Sequence, residues 1–208
     1  MHVVVTGSSR GIGRELKTRL AARGDRVTGT SRDHSSGTRL DVSEPGQQAR
    51  FAAQIKGDPV DLLICNAGVY LDKTMSISDY TAEVWAKSLA VNVTGVFLTI
   101  QALLPNLRLA LAGVGTPKIA IISSKLGSQA SAGGGRYIYR ASKAAALNLG
   151  RNLAVDLRGQ GIAVGIYHPG WVATDMGGSD AEVSVEQSVD GLRRQIDSLT
   201  LAETGCFK

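Results

Sequence analysis

Apolar residues along this chain fall into two alternating patterns. Short runs at 2–6, 26–30, 38–41, 60–65, 118–123 and 162–167 are rich in valine and isoleucine and show little alternation with polar residues. Runs that are apolar on both faces mark strands buried in a parallel sheet. Between them, residues 12–23, 44–56, 82–111 and 138–158 read as helices, and in the last of these Ala141, Ala144, Ala145 and Leu149 fall at helical spacing. The alternation predicts an α/β fold, a doubly wound parallel sheet in a three-layer αβα sandwich with right-handed crossovers, as a single domain over 1–208. Two places break the pattern. Residues 31–37 are too few for a helical crossover, so a bare loop is expected there. Residues 205–208 read as the beginning of a last strand.

Composition narrows the class. A chain of 208 residues, 43% hydrophobic and 20% charged, buries a core without staples and is neither disordered nor a coiled coil. Its 25 glycines have no three-residue period, so they belong at special backbone positions. The two cysteines, Cys65 and Cys206, are far apart, which fits neither a disulfide framework nor a zinc site and suits a reducing cytoplasm. His2, His34 and His168 are scattered and form no metal-binding spacing. The chain opens directly on Met1-His2-Val3-Val4-Val5, with no signal-peptide pattern. The stretch 89–104 contains Asn92, Thr94, Thr99 and Gln101 and is too short and too polar for a bilayer, so no membrane partner is expected. A net charge of +5 is carried without a basic run, Arg193-Arg194 being the only adjacent basic pair; this points to a small phosphorylated ligand rather than nucleic acid.

The first strand runs straight into Thr6-Gly7-Ser8-Ser9-Arg10-Gly11-Ile12-Gly13, and a helix follows. A strand–turn–helix junction gathers free N–H groups and the positive end of the helix at one point, which suits a pyrophosphate. Gly7 allows a sharp turn, Gly11 a close backbone approach, and Gly13 tight packing of helix on sheet. The second strand ends in Gly29-Thr30-Ser31-Arg32, where a carboxylate would be expected for an NAD ribose. Ser31 followed by Arg32, with Arg10 in the turn, favours a 2′-phosphate and therefore NADP(H); Asp33 is the one nearby acid that opposes this.

Tyr139-Arg140-Ala141-Ser142-Lys143 puts a phenol and an ammonium four residues apart, on one helix face. By itself that is a common surface pair. The helix follows the fifth strand, however, so the pair lies at the carboxyl edge of the sheet, where open α/β sheets bind ligands. A phenol is a weak acid–base at neutral pH, and a nearby cation favours its phenolate. Ser123 and Ser124 close the fifth strand at the same edge, and Ser124 is the expected hydroxyl donor because Gly127 lets the loop fold back.

With these motifs in order, the chain resembles a short-chain dehydrogenase/reductase of the classical type. Thr6–Gly13 resembles that family's glycine turn, Asn66-Ala67-Gly68 its NAG motif, and Asn92 its helix asparagine. Ser124, Tyr139 and Lys143 resemble its catalytic serine and YxxxK, and Pro169-Gly170-Trp171-Val172-Ala173-Thr174 its PG-x-x-x-T segment. The resemblance implies a Rossmann-type sheet and hydride transfer between NADP(H) and a small-molecule carbonyl or alcohol. It implies Tyr139 as acid–base, Lys143 on the nicotinamide ribose and depressing the tyrosine pKa, Ser124 orienting the carbonyl, and Asn92 keeping a water near Lys143. Ser9, Ile12 and the three turn glycines would hold phosphates. Asp41 and Val42 would face the adenine, Asn66–Gly68 would line the adenosine side, and Pro169, Gly170, Val172 and Thr174 would border the nicotinamide. A homodimer or homotetramer through the two long helices is also implied, although Arg151, Asp156 and Arg158 leave a monomer open. The Ser124-to-Tyr139 interval is 15 residues, two more than usual, with the surplus in 131–136. The absent helix between strands two and three, the short segment after Thr174 and a helix at 188–199 resemble the branch of C-factor-like proteins and sniffer-type carbonyl reductases. A short cover predicts an exposed pocket and a broad choice of ketones or aldehydes. A 3-oxoacyl-thioester reductase and a non-enzymatic NADP(H) sensor stay open. A hydrolase built on Ser124, Asp156 and His168 does not fit, because Ser124 lacks the G-x-S-x-G elbow.

Overall fold

The computed structural model describes residues 1–33, 37–113, 115–130 and 132–208. His34, and Ser131 of the glycine-rich loop, lie outside the described residues. The elements run β1 (His2–Thr6), α1 (Gly11–Ala22), β2 (Arg26–Ser31), β3 (Thr38–Arg39), α2 (Pro45–Gln54), β4 (Leu62–Cys65), α3 (Ala82–Leu89), α4 (Gly95–Leu109), β5 (Lys118–Ile122), α5 (Tyr137–Arg158), β6 (Ala163–Tyr167) and α6 (Val185–Asp197). All strands are parallel, in the order β3-β2-β1-β4-β5-β6. The order reverses between β1 and β4, which opens a crevice at their carboxyl ends.

Successive strand residues feed opposite layers. Val4, Leu63, Ile119, Ile121 and Val164 pack under α2, α4 and α5 with Phe51, Ile100, Leu103 and Leu107. Val3, Val5, Leu62, Ile64, Ala120 and Ile122 pack under α1 and α6 with Leu16, Leu20, Val189, Leu192 and Ile196. Full burial of each such side chain contributes about 1.5–3 kcal/mol, so the sheet is held from both sides. Helix starts are set locally: α2 by Pro45 in its first turn, and α6 by a capping box between Ser184 and Gln187.

Four sequence expectations need adjustment. β3 pairs only at Thr38 and Arg39, because the Asp41 backbone N–H is taken by Gln47 Oε1 at 2.9 Å and the chain leaves the sheet. β4 starts at Leu62 rather than at 60, since the Val60 N–H donates to the Asn106 carbonyl of α4 at 3.0 Å. The expected helix 82–111 is continuous but contains a wide π turn, Ala90–Thr94, before α4. As a whole, Ala82–Ala112 is long and apolar enough to cross a membrane by length and composition, unlike the 89–104 window, yet its Val96, Ile100, Leu103 and Leu107 stripe packs in the core. The tail does form an edge beside β6: Phe207 bridges Ile166 in parallel, the Ile166 N–H donates to Cys206 O at 2.9 Å, and the Lys208 N–H donates to Ile166 O at 3.1 Å.

Candidate active site

The glycine turn is shaped by contacts that leave no room for side chains. Gly7 has φ +67°, and a Cβ there would sit 2.8 Å from the Ala67 Cα. A Cβ on Gly13 would lie 2.2 Å from the Gly7 carbonyl oxygen and 2.5 Å from Asn66 Nδ2. Asn66 is the clamp: its Nδ2 donates to the carbonyls of Thr6 and Gly7, both at 3.0 Å. The Thr6 hydroxyl in turn accepts from the backbone N–H groups of Asn66 and Ala67, both at 3.1 Å. Asn66 and Ala67 therefore fix the turn itself. Gly68 is placed on the other side of the crevice: a Cβ there would lie 3.3 Å from Asn92 Oδ1 and 3.6 Å from Lys143 Nζ. Within the stretch Asn66–Gly68, Asn66 and Ala67 brace the glycine turn and Gly68 stands beside the lysine.

Helix α1 opens without a side-chain cap at Arg10 and without an acid in its first turn. Its N-terminus is an anion site in waiting. Ser9 and Ile12 are partly exposed in the turn, and Gly11 faces the Thr174 methyl, 3.3 Å from where a Cβ would sit. Ser31 is buried at the end of β2, while Arg32 beside it is exposed. The exposed Arg10 guanidinium pairs with Asp175 at 2.8 Å in the segment after β6. Asp41 Oδ1 accepts from the Ser43 N–H and hydroxyl, and Val42 packs on Gly95. These features fit a dinucleotide laid along the carboxyl edge: an uncapped helix end for phosphates, and an exposed cation, Arg32, directly after β2, followed by Asp33.

At the far side of the crevice, the first turns of α5 carry Tyr139 and Lys143, 9% and 6% exposed. Lys143 Nζ donates to the Ile122 carbonyl at 2.9 Å and sits 5.8 Å from the Tyr139 ring centroid. The two hydroxyls after β5 separate cleanly. Ser123 Oγ donates to the Lys143 carbonyl at 3.0 Å and so anchors α5. Ser124 Oγ accepts from the Leu126 N–H at 3.2 Å and hydrogen-bonds Tyr139. Asn92 rides on the π turn, 1% exposed. Its Oδ1 accepts from the Val69 N–H at 2.8 Å, and its Nδ2 donates to Val69 O at 2.9 Å and to Ser142 Oγ at 3.0 Å. The asparagine side chain therefore ties the loop after β4 to α5.

Sequence reasoning missed two aromatic neighbours and an acid. Tyr70 stacks on Tyr139 with ring centroids 4.2 Å apart, Tyr80 meets Tyr137 edge-on at 5.5 Å, and Asp72 accepts from the start of α5. The motif Val69-Tyr70-Leu71-Asp72 directly after Gly68 was the available signal. Past β6, the Pro169 carbonyl accepts from Ser188 Oγ, Gly170 packs on Val183, and Val172 bridges Val183 in parallel. Thr174 Oγ1 accepts from the Gly177 N–H at 3.1 Å, and Trp171 Nε1 donates to Gly177 O at 2.9 Å. Trp171 and Met176 are exposed in this segment.

The electrostatics differ from expectation in one respect. Burial pushes the Tyr139 phenol up to about 12, with the Ser124 hydrogen bond opposing it and the charges of Tyr70 and Asp72 adding to it. Burial also lowers the Lys143 ammonium to about 8. Desolvation of a group one-tenth exposed is the largest cause of this upward shift, and the ammonium stands 5.8 Å from the ring centroid.

Residues 1–183 match the family model described as short chain dehydrogenase. The C-signal protein of Myxococcus xanthus is 38% identical over 158 residues, covering 76% of this chain and 92% of that one. The NADPH-bound carbonyl reductase from chicken fatty liver superposes with a TM-score of 0.91 at 30% identity, over 99% of this chain and 94% of that one. The carbonyl reductase Sniffer of D. melanogaster does so with a TM-score of 0.91 at 28% identity, over 99% and 95%.

The buried lysine makes a stability prediction. Its value is 10.5 when unperturbed and about 8 in the fold, so between these pH values the unfolded chain holds the extra proton and stability rises with pH. Tyr139, moved from 10.0 to about 12, acts in the opposite sense above pH 10, where the unfolded chain loses its proton first. Lys143→Met is expected to stabilise the protein by about 1–3 kcal/mol at neutral pH, after allowing for the lost bond to Ile122 O. The gain should shrink towards about pH 10, read as urea midpoints of the two proteins. A difference that stays constant with pH would contradict a charged Lys143 in the native state.

Proposed function

The chain belongs to the short chain dehydrogenase family of oxidoreductases, and on that premise we propose that it is an NADP(H)-dependent carbonyl reductase interconverting small ketones or aldehydes with their alcohols. The observation that carries this reading is the burial of Tyr139 and Lys143 together, with Ser124 bonded to the phenol, at the carboxyl end of β5. NADP(H), when bound, supplies or takes up the hydride. Tyr139 gives its hydroxyl proton to the carbonyl oxygen in reduction and recovers it from the alcohol oxygen in oxidation. Ser124 Oγ holds that oxygen beside the phenol. Lys143 stabilises the phenolate left behind and donates to the nicotinamide ribose. Asn92, through Val69 and Ser142, keeps Gly68 and α5 at a fixed spacing around Lys143.

For the nucleotide, the turn from Gly7 to Gly13 and the uncapped start of α1 hold the phosphates, Asp41 and Val42 border the adenine, and Pro169, Gly170, Val172 and Thr174 border the nicotinamide. Ser31 and Arg32 take the 2′-phosphate; the NADPH-bound carbonyl reductase that shares the fold supports this choice over NAD. The chain works in a reducing cytoplasm: Cys65 is buried with its thiol pushed up to about 12, and Cys206 is unpaired. It assembles as a dimer through the outer faces of α4 and α5, where Phe97 and Val155 are exposed. No nucleic acid or membrane takes part in this reading.

Three outcomes are expected. With a panel of aldehydes and ketones, the purified protein consumes NADPH, and Tyr139→Phe lowers kcat by about 10²–10⁴-fold while NADPH still binds. Binding without turnover in the wild type would favour the sensor reading, and a strong preference for acyl-thioester ketones would favour a 3-oxoacyl reductase. Arg32→Ala raises the KM for NADPH about 10- to 100-fold with little change for NADH; equal losses for both would remove Arg32 from the 2′-phosphate. Val155→Glu shifts the protein to monomer in size-exclusion chromatography, whereas an unchanged elution volume would move the interface elsewhere.

A further inference from the structure

Helix α5 begins without a cap of its own. Its N-cap residue, Arg136, has a left-handed backbone (φ +53°) and offers no capping side chain. The capping acceptor comes from far away in sequence. Asp72 lies in the loop after β4, is 1% exposed, and accepts through Oδ2 from the Ile138 N–H at 2.9 Å, the Tyr139 N–H at 3.3 Å and the Tyr80 hydroxyl at 3.2 Å. Its Oδ1 is buried and finds no hydrogen-bond partner among the described residues. An acidic group at a helix N-terminus is favoured by the dipole, but Ser or Asn would serve as well for capping alone. A fully buried carboxylate with one oxygen unsatisfied is a costly way to cap a helix, so the charge itself asks for a use.

We propose that Asp72 is a positioning residue for the proton transfer: it docks the loop that carries Tyr70 onto the first turn of α5, and its charge sets the pH range over which Tyr139 exchanges its proton. This rests on Tyr139 being the proton carrier. The groups facing the phenol are Lys143 from α5, Ser124 from the turn after β5, and Tyr70 and Asp72 from the loop after β4; Arg136 and Arg140 act on Tyr70. Lys143 Nζ lies 5.8 Å from the ring centroid and Asp72 Oδ2 holds the Tyr139 backbone N–H, so groups of opposite charge act on one residue. Lys143 favours the phenolate and Asp72 the neutral phenol. The neutral phenol is the form that carbonyl reduction consumes, so Asp72 biases the resting site towards reduction.

The test compares the pH dependence of kcat in wild type and Asp72→Asn, in both directions, with NADPH affinity followed by fluorescence titration. Asparagine keeps an oxygen for the two N–H groups and removes the charge. The alkaline fall of reduction and the rise of oxidation should both move to lower pH by roughly one unit, with NADPH affinity held within about twofold. A limb that stays in place or moves to higher pH overturns the proposal. So does a loss of NADPH affinity as large as the loss of kcat, which marks general disorder of the site. If Asp72→Asn does not fold, Asp72→Ser, which also keeps a capping oxygen, is read in the same way; failure of both to fold assigns Asp72 to structure alone and overturns the proposal. Wild-type turnover abolished in Tyr139→Phe tests the underlying assignment separately, so an unmoved limb in an active enzyme sinks only the role of Asp72.

Discussion

A lysine ammonium buried between a helix and the end of a strand is expensive, and the arrangement around it follows from containing that cost. Lys143 Nζ meets the Ile122 carbonyl, the last residue of β5, and this single bond registers α5 against the sheet. Ser123 repeats the registration from the strand side by donating into the Lys143 carbonyl. Once α5 is fixed there, Tyr139 must lie one turn earlier, over Ser124 and under Tyr70. The site is thus a consequence of where one cation is allowed to sit.

The crevice opposite obeys a different constraint, namely space. Gly13 cannot carry a side chain because a carbonyl and an amide already occupy that position. The amide belongs to Asn66, at the end of β4, so the turn after β1 is held from the neighbouring strand rather than by its own residues. Both halves of the site therefore depend on the loop after β4: Asn66 and Ala67 brace the glycine turn, Gly68 and Val69 reach Lys143 and Asn92, and Asp72 caps α5.

Much of this was legible in the sequence. The parallel strands announced themselves because burial on both faces demands unbroken apolar runs, and the glycine turn and the Tyr139–Lys143 pair because their spacings are tied to chemistry. The bare loop expected between β2 and β3 falls partly on residues 34–36, which lie outside the described residues. What was not legible depends on contacts distant in sequence. β3 ends early because Gln47 takes the Asp41 amide. The exposed pairing of Arg10 with Asp175, 165 residues away, has no local signal in the chain. The phenol was expected to be pulled down by its lysine, yet depth of burial, invisible in a linear string, governs it instead. Asp72 looked like one more loop acid because the helix start that it serves is 66 residues downstream.

The π turn at Ala90–Thr94 stores one surplus residue inside a helix that otherwise runs from Ala82 to Ala112. Excising a single residue there would let ordinary α winding resume with the flanking segments still in phase, so the change would be felt at the widened turn that carries Asn92. Closing the turn would cost the bonds of Asn92 to Val69 and Ser142 before it touched the packing of Val96, Ile100, Leu103 and Leu107. A one-residue deletion at that spot is thus a local wound to the site rather than a global one to the fold.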